Sequence, residues 1–288
     1  MRLVTFQGPQ GPRLAAVRDG RYVDLAGTDP ALPASLKEFL SGGEEMMRRV
    51  AAARDSGATI DPQSVRLLAP VPDPQKVVCV GLNYADHARE SGVEPPAEPV
   101  IFNKFPTAVA AHGDKIALPP ESHEVDYEAE LVVVIGRRAR RVSVAEAAQC
   151  IGGYCVGNDV SARDWQIGKP GKQWLLGKTF DGFAPFGPAM VTPDEVGNPA
   201  NLRIQCRVNG EVLQDSNTDQ LIFSVPEIVA YASQVCTLLP GDVIFTGTPP
   251  GVGFARTPPI FLRPGDVVEV EIERVGLLRN PVIADVVN

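Results

Sequence analysis

The sequence lacks several features that would place it outside the ordinary soluble globular proteins. Its 288 residues carry a net charge of −8 and no long Lys/Arg-rich run, which argues against nucleic-acid binding because that affinity depends on neutralised phosphates. No apolar run approaches the ~20 residues of a membrane helix, and the start MRLVTFQGPQG does not resemble a secretory signal. We therefore expect a cytoplasmic protein that binds neither nucleic acid nor membranes.

Nitrogen and sulfur ligands for metals are also scarce. The five cysteines include no C-x-x-C pair, and most of them lie among apolar or β-branched neighbours. This is typical of reduced core residues rather than of a zinc or disulfide framework. With only three histidines in the chain, a nitrogen-rich metal site is not expected.

What the chain does contain is a series of β-branched runs separated by turn signals. Residues 1–70 show short strand patterns and a helical pattern at 35–54 that is interrupted by Gly42 and Gly43. The proline-rich segment LLAPVPDP follows, so we predict a small accessory domain at 1–70 and a larger domain at 71–288. The larger domain is mainly β, with helical patterns at 142–150 and 225–236. These patterns predict an α+β fold, as a roll or sandwich.

Four carboxylates alternate along the segment EVDYEAELVVVIG. In a strand, all four would point to one face: Glu124, Asp126, Glu128 and Glu130. We interpret Glu124 and Asp126 as the solvated approach to the strand. The face of Glu128 and Glu130 continues as apolar residues, where like charges require a cation or a shared proton.

A third carboxylate, Asp159, ends the next apolar run, GGYCVGNDVSARD. Alone, it would be interpreted as an ordinary turn residue. If it converges on Glu128 and Glu130, the three form a hard, all-oxygen site suited to Mg²⁺ or Mn²⁺. We prefer this interpretation for the three residues together.

Three further segments carry candidate functional groups. In NYADHARE, His87 and Glu90 would share a helical face, so the carboxylate can orient the imidazole as a general base, although this spacing is also common on solvated helices. In WLLGKTFD, Lys178 lies in an apolar run and must meet an anion, either in a buried ion pair or on a substrate. The loop FTGTPPGVG can present backbone N–H groups and threonine hydroxyls to a carboxylate, and it lacks a P-loop lysine.

In this order, the segments resemble the fumarylacetoacetate hydrolase superfamily, in particular the branch called fumarylacetoacetate hydrolase domain-containing protein 2 and its bacterial relatives. The resemblance covers roughly residues 70–288. It rests on VGLNYADHARE, the E-x-E of DYEAELVVVIG, NDVSARDWQ, GKQWLLGKTFD, SVPEIVAY and GDVIFTGTPPGVG.

The resemblance implies a mixed β-roll catalytic domain, usually in a homodimer, with a Mg²⁺ or Mn²⁺ ion and a lid over residues 84–103. Nine positions match functional residues of the superfamily. They are the metal ligands Glu128, Glu130 and Asp159, the water-activating pair His87 and Glu90, the active-site lysine Lys178, and the substrate contacts Arg163, Gln166 and Thr248.

The implied substrate is a 2-oxo or 2,4-dioxo carboxylic acid that chelates the ion. We prefer hydrolysis of the C3–C4 bond of an acylpyruvate, because both His87 and Glu90 are present to activate water. The main alternative is tautomerisation or decarboxylation of oxaloacetate, which passes through the same enolate. An isomerase of 2-hydroxymuconate-type diacids and an inactive binding subunit are the remaining alternatives, and fold alone does not choose among them.

Overall fold

The computed structural model describes residues 1–90 and 92–285, with the backbone alone for Glu44. The strands are β1 (Arg2–Gly8), β2 (Gly11–Arg18), β3 (Arg21–Asp24), β4 (Thr59–Ile60), β5 (Leu67–Leu68), β6 (Val77–Gly81), β7 (Val100–Lys104), β8 (Val109–Ala110), β9 (Ile116–Leu118), β10 (Val125–Asp126), β11 (Ala129–Ile135), β12 (Ile151–Asn158), β13 (Ser161–Ala162), β14 (Ala184–Val191), β15 (Arg203–Val208), β16 (Glu211–Asn217), β17 (Val243–Phe245), β18 (Val267–Ile272) and β19 (Gly276–Ala284). The α-helices are α1 (Leu25–Thr28), α2 (Leu36–Ser41), α3 (Gly43–Ser56), α4 (Ala85–Glu90), α5 (Val144–Ala148), α6 (Arg163–Gln166), α7 (Trp174–Lys178), α8 (Pro193–Val196) and α9 (Val225–Val235).

Most strands belong to two sheets. A twelve-stranded sheet has the order β4-β3-β2-β1-β14-β12-β11-β17-β6-β7, with β5 paired to β1 and β8 paired to β14. A five-stranded sheet has the order β16-β15-β18-β19-β9, and β10 pairs with β13. The predicted α+β, mainly β fold is confirmed.

The helix boundaries follow local signals in the sequence. Gly42 separates α2 from α3 where the sequence predicts an interruption, and Gly43, the first residue of α3, has a φ of 64°. The predicted helix at 225–236 is α9, which begins at a capping box formed by Ser224 and Glu227. The predicted helix at 142–150 is α5, and it also begins at a capping box.

Strand β11 is buried on both faces. Leu131 and Val133 pack in one core cluster, whereas Val132 and Val134 pack in a second cluster that includes the N-terminal residue Leu3. A strand covered on both faces has no polar side to expose, so after Glu130 its sequence is a continuous apolar run, LVVVI. This burial places the first residues of β11 deep inside the molecule.

The N-terminal strands extend the main sheet. Strand β1 pairs with β14, with Leu3 opposite Met190, and Leu14 and Phe39 belong to the same core cluster as Val132. Residues 1–70 therefore share a sheet and a core with the rest of the chain. A separate accessory domain at 1–70 followed by a catalytic domain at 71–288 stays a prediction.

The double burial of β11 makes it sensitive to small cavities. We expect Val133→Ala, at a position with 0% exposure, to lower the free energy of unfolding by about 2 kcal/mol through lost burial and an unfilled cavity. Val212→Ala is the matched control, because Val212 on β16 is 47% exposed, and it should change stability by less than about 0.5 kcal/mol. Urea unfolding measures both, and equal losses would contradict the described core.

Candidate active site

The three predicted metal ligands meet where β11 begins and β12 ends. These strands are antiparallel, with Ala129 opposite Asn158, so Glu128 lies beside Asp159. The backbone N–H of Asp159 donates to the Glu128 carbonyl at 2.9 Å. Carboxylate oxygens of Glu128, Glu130 and Asp159 all lie within 4.8 Å of one another, and all three residues are buried.

Asp126 does not lie on a solvated approach, so that interpretation was wrong. Its side chain is fully buried and accepts hydrogen bonds from the Arg163 guanidinium at 2.8 and 2.9 Å. The backbone N–H groups of Gly253 and Phe254 donate to it at 2.8 and 3.0 Å. The Asp126 carboxylate can be buried because these donors, distant in sequence, satisfy its charge. Glu124, in contrast, is partly exposed as predicted.

Cationic side chains contact the carboxylates of two of the three predicted metal ligands. The Lys178 ammonium lies 2.7 Å from Glu128 and 3.0 Å from Asp159, which is the buried ion pair considered for this lysine. The Arg163 guanidinium lies 2.7 Å from the other oxygen of Glu128. Glu128 is thus held from two sides by charge-assisted contacts.

Two buried polar residues of the site were missed in the sequence. Lys104, at the end of β7, is 1% exposed, and its ammonium lies 2.6 Å from Asp159. It stands in the largely apolar segment VIFNKF. A lysine in an apolar run is the signal that singled out Lys178, so Lys104 could have been identified from the sequence in the same way. Gln214 on β16 is equally buried, and nothing in its local sequence marks it.

The carboxylates shift one another's ionisation. Burial, followed by the charges of Asp159 and Glu128, raises the pKa of Glu130 well above its usual value. Burial also acts on Glu128, but Lys178 and Arg163 outweigh it and lower the pKa of that carboxyl. A divalent cation between the three carboxylates would favour the charged form of Glu130. These hard oxygen donors fit Mg²⁺ or Mn²⁺.

The predicted pair His87 and Glu90 lies on the short helix α4. The Nδ1 atom of His87 is 3.1 Å from a carboxylate oxygen of Glu90, and the backbone N–H of Gly251 donates to that carboxylate at 3.1 Å. With Nδ1 engaged, a neutral imidazole presents Nε2 as the available base. This arrangement is suited to proton transfer with the carboxylate behind the ring.

The glycine-rich loop after β17 donates backbone N–H groups to carboxylates of the protein itself. Its glycines Gly247, Gly251 and Gly253 donate, in order, to Glu130, Glu90 and Asp126. Glycine is required at Gly251, where φ is 95° and a Cβ atom would lie 2.1 Å from the Leu213 carbonyl oxygen. The sequence predicted N–H groups aimed at a carboxylate, and the described partners are protein side chains.

Helices α6 and α7 deliver the remaining site residues. They pack so closely that a Cβ atom on Gly177 would lie 2.5 Å from the backbone nitrogen of Gln166. The carbonyl oxygen of the Gln166 side chain accepts a hydrogen bond from Arg163 at 2.8 Å. Gly177 therefore permits the close packing that places Lys178 beside α6.

One cavity of about 130 Å³ gathers these groups. It is lined by seven of the nine predicted residues, namely His87, Glu128, Glu130, Arg163, Gln166, Lys178 and Thr248. The remaining two, Asp159 and Glu90, contact the lining residues Lys178 and His87. The structure therefore brings all nine positions together, while their roles in binding and catalysis stay predictions.

Comparison with known proteins gives the family. The family description "Fumarylacetoacetate (FAA) hydrolase C-terminal" matches residues 76–283. The chain belongs to the fumarylacetoacetate hydrolase family. It is therefore a member of an enzyme superfamily whose substrates are small molecules, and the predicted relationship is confirmed.

Its relatives in this family are similar over nearly the whole chain. Oxaloacetate tautomerase FAHD2A, mitochondrial, of Bos taurus is 52% identical, with 98% of this chain and 92% of the bovine protein covered. The Homo sapiens protein of the same name is 49% identical with the same coverage. The crystal structure of maleylpyruvate hydrolase from Sphingobium sp. SYK-6 with manganese (II) and pyruvate is 32% identical, with a TM-score of 0.83 over 99% of this chain and 100% of that one.

The comparisons leave the predicted cellular location open. Both tautomerases are named as mitochondrial, so the cytoplasm stays a prediction for this chain. Over residues 1–90 and 92–285, no helix has the length and apolar character needed to cross a membrane.

The carboxylate cluster predicts where a metal ion binds. We expect Glu128→Gln and Asp159→Asn each to weaken Mg²⁺ binding by more than about 100-fold, since even residues behind metal ligands contribute about 10- to 100-fold. Titration calorimetry measures this affinity. Glu124→Gln, at the neighbouring partly exposed carboxylate, is the control and should bind Mg²⁺ like the wild type. Unchanged Mg²⁺ binding in Glu128→Gln would show that the site is assigned wrongly.

The buried position of Asp126 predicts a structural cost that the sequence did not suggest. Asp126→Asn should lower the free energy of unfolding by about 2 kcal/mol or more, because it weakens the buried ion pair of Arg163. Glu124→Gln should leave stability within about 0.5 kcal/mol of the wild type. Chemical denaturation compares the two, and similar stabilities would restore the solvated interpretation of Asp126.

Proposed function

We propose that this protein is a Mg²⁺- or Mn²⁺-dependent oxaloacetate tautomerase that interconverts the keto and enol forms. The observation that carries the proposal is that His87, in contact with Glu90, lines the same cavity as two members of the three-carboxylate cluster. The named activity of the two FAHD2A relatives supports the same reaction. The homodimer and the cytoplasmic location implied or expected from the sequence remain part of this proposal.

Each side chain has a role that follows from its position. Glu128, Glu130 and Asp159 would hold the ion, which when bound polarises the 2-oxo group as a Lewis acid. Lys178 and Arg163 carry positive charge at the cavity wall, where they attract the substrate carboxylates and stabilise negative charge on the 2-oxo oxygen.

Proton transfer is assigned to His87. Its Nε2 takes a proton from C3 of the keto form while the electron pair of that C–H bond shifts to form the C2–C3 double bond. The electrons of the carbonyl π bond move onto the 2-oxo oxygen, which then takes a proton from the His87 imidazolium and becomes the enol hydroxyl. Glu90 stabilises the imidazolium between the two transfers.

The size of the cavity favours a short substrate. Its volume of about 130 Å³ is small beside the roughly 300–1,000 Å³ typical of drug-sized ligand pockets. Trp174 and Phe102 form part of its wall and lie edge to face at 5.4 Å between ring centroids. A four-carbon dicarboxylate suits this space better than an acylpyruvate with an extended acyl chain.

Hydrolysis of an acylpyruvate, the reaction preferred from the sequence, is the second candidate. It is favoured by the same His87–Glu90 pair, which can activate a water molecule as well as move a proton. The maleylpyruvate hydrolase neighbour, solved with manganese and pyruvate, supports a shared 2-oxo acid chemistry. The tautomerase ranks first because the relatives with about half of their residues identical bear that name.

Assays with oxaloacetate and with acylpyruvates distinguish the two reactions. With Mg²⁺, the protein should accelerate keto–enol exchange of oxaloacetate, followed by the ultraviolet absorbance of the enol. His87→Ala should slow this exchange by about 100-fold or more, the usual contribution of a general acid–base group. His123→Ala is the matched control, since His123 is exposed and does not line this cavity.

Mass spectrometry of the products supplies the decisive outcome. If exchange stays at the buffer rate while acylpyruvates are cleaved to pyruvate, tautomerisation is rejected in favour of hydrolysis. If oxaloacetate is instead converted to pyruvate and CO₂ at the enzyme's main rate, decarboxylation replaces both.

A further inference from the structure

Gln214 is a buried glutamine that the proposed mechanism does not use. It lies on β16 with 1% exposure, and its side chain reaches both β11 and the loop after β17. Its carbonyl oxygen accepts a hydrogen bond from the backbone N–H of Ala129 at 2.9 Å. Its amide nitrogen donates to the Thr248 hydroxyl oxygen and to the Pro249 carbonyl, both at 2.8 Å.

The two backbone partners determine the orientation of this amide. The N–H of Ala129 can only donate and therefore faces the amide oxygen, whereas the carbonyl of Pro249 can only accept and therefore faces the NH₂ group. The second hydrogen of the NH₂ group is left for Thr248. The Thr248 oxygen thus acts as an acceptor towards Gln214, and its own hydrogen points elsewhere.

That hydrogen is available to a bound molecule. Thr248 is 6% exposed and lines the cavity together with Glu128 and Glu130. Within residues 1–90 and 92–285, no side chain or carbonyl accepts a hydrogen bond from this hydroxyl. An oxygen of a ligand in the cavity is therefore its natural acceptor.

The backbone around Gln214 is held firmly against the loop. In the pairing of β15 with β16, Cys206 is opposite Gln214 and the next residue of β15, Arg207, is opposite Val212, so Leu213 is an extra residue. Such a bulge redirects neighbouring side chains and is common beside active sites. The Leu213 carbonyl accepts a hydrogen bond from Arg256, which anchors the bulge next to Gln214, whose side chain reaches Thr248.

We propose that Gln214 is a positioning residue that keeps the Thr248 hydroxyl oriented as a hydrogen-bond donor to a carboxylate or 2-oxo oxygen of the bound 2-oxo acid. The inference relies on the proposed function for the class of ligand. It does not depend on whether the reaction is tautomerisation or hydrolysis. Gln214 acts through Thr248, so its effect must disappear when the hydroxyl is absent.

A double-mutant cycle tests this dependence. The measurement is calorimetric binding of pyruvate to the Mg²⁺-loaded protein. Thr248→Val should weaken binding about ten-fold, as expected for one hydrogen bond to a charged oxygen. Gln214→Met should weaken it by about three- to ten-fold, and the double variant should bind no more weakly than Thr248→Val alone. Gln205→Met, on the half-buried Gln205 of β15, should bind like the wild type.

Other results overturn the proposal. If the two single-variant losses in pyruvate affinity multiply in the double variant, Gln214 acts on the fold and not through Thr248. If Gln214→Met binds pyruvate as tightly as the wild type, Gln214 has no role in binding. If Gln214→Met does not fold, Gln214→Glu retains the acceptor for Ala129 and replaces the donor that faces Thr248. It should then weaken pyruvate binding about ten-fold, and only when the Thr248 hydroxyl is present.

The binding cycle, combined with the oxaloacetate turnover assay, separates this inference from the proposed function. Coupling between Gln214 and Thr248 without any oxaloacetate turnover rejects the reaction and retains the positioning role. Oxaloacetate turnover without coupling rejects the positioning role alone. A wild-type protein that binds no pyruvate in the presence of Mg²⁺ rejects the 2-oxo acid class and the inference with it.

Discussion

Charge pairing in the interior is the constraint on which the site depends. Four carboxylates and three cationic side chains are buried together, namely Asp126, Glu128, Glu130 and Asp159 with Lys104, Arg163 and Lys178. Burying any one of these charges alone would cost several kcal/mol, so each is held by charge-assisted contacts. With all four carboxylates ionised, formal charges of −4 and +3 sum to −1, which a divalent cation would change to +1. A site with that charge would attract an anionic acid.

Close backbone packing is what makes this pairing possible. The loop after β17 brings three glycine N–H groups to three carboxylates, and Gly177 allows α7 to contact α6. A side chain at these positions would separate donors from acceptors by more than a hydrogen bond tolerates. The glycines therefore serve the electrostatics of the site rather than flexibility.

The site is deeply buried on one side and more exposed on the other. The carboxylates of the predicted metal ligands stand at the ends of β11 and β12, in the centre of the large sheet. The side chains of His87 and Glu90 are 15% and 31% exposed on a short helix. A buried carboxylate cluster beside a less buried pair predicted to transfer protons suits an enzyme whose substrate enters from the side of His87 and Glu90. Ser216 on β16 donates to Asp86 on the same helix, so this strand supports both the helix and, through Gln214, the loop.

The sequence by itself determined the features that depend on local periodicity. Alternation along EVDYEAELVVVIG singled out Glu128 and Glu130, a strand-ending carboxylate added Asp159, and i, i+3 spacing paired His87 with Glu90. The same local patterns indicated the α+β class and the breaks between helices. Only the tertiary structure decided that Asp126 is buried, that Lys104 reaches Asp159, and that residues 1–70 continue the main sheet. These features join residues far apart in the chain, as Arg163 and Asp126 are 37 positions apart. Local patterns report which groups need a partner, but only the packed chain brings that partner within hydrogen-bond distance.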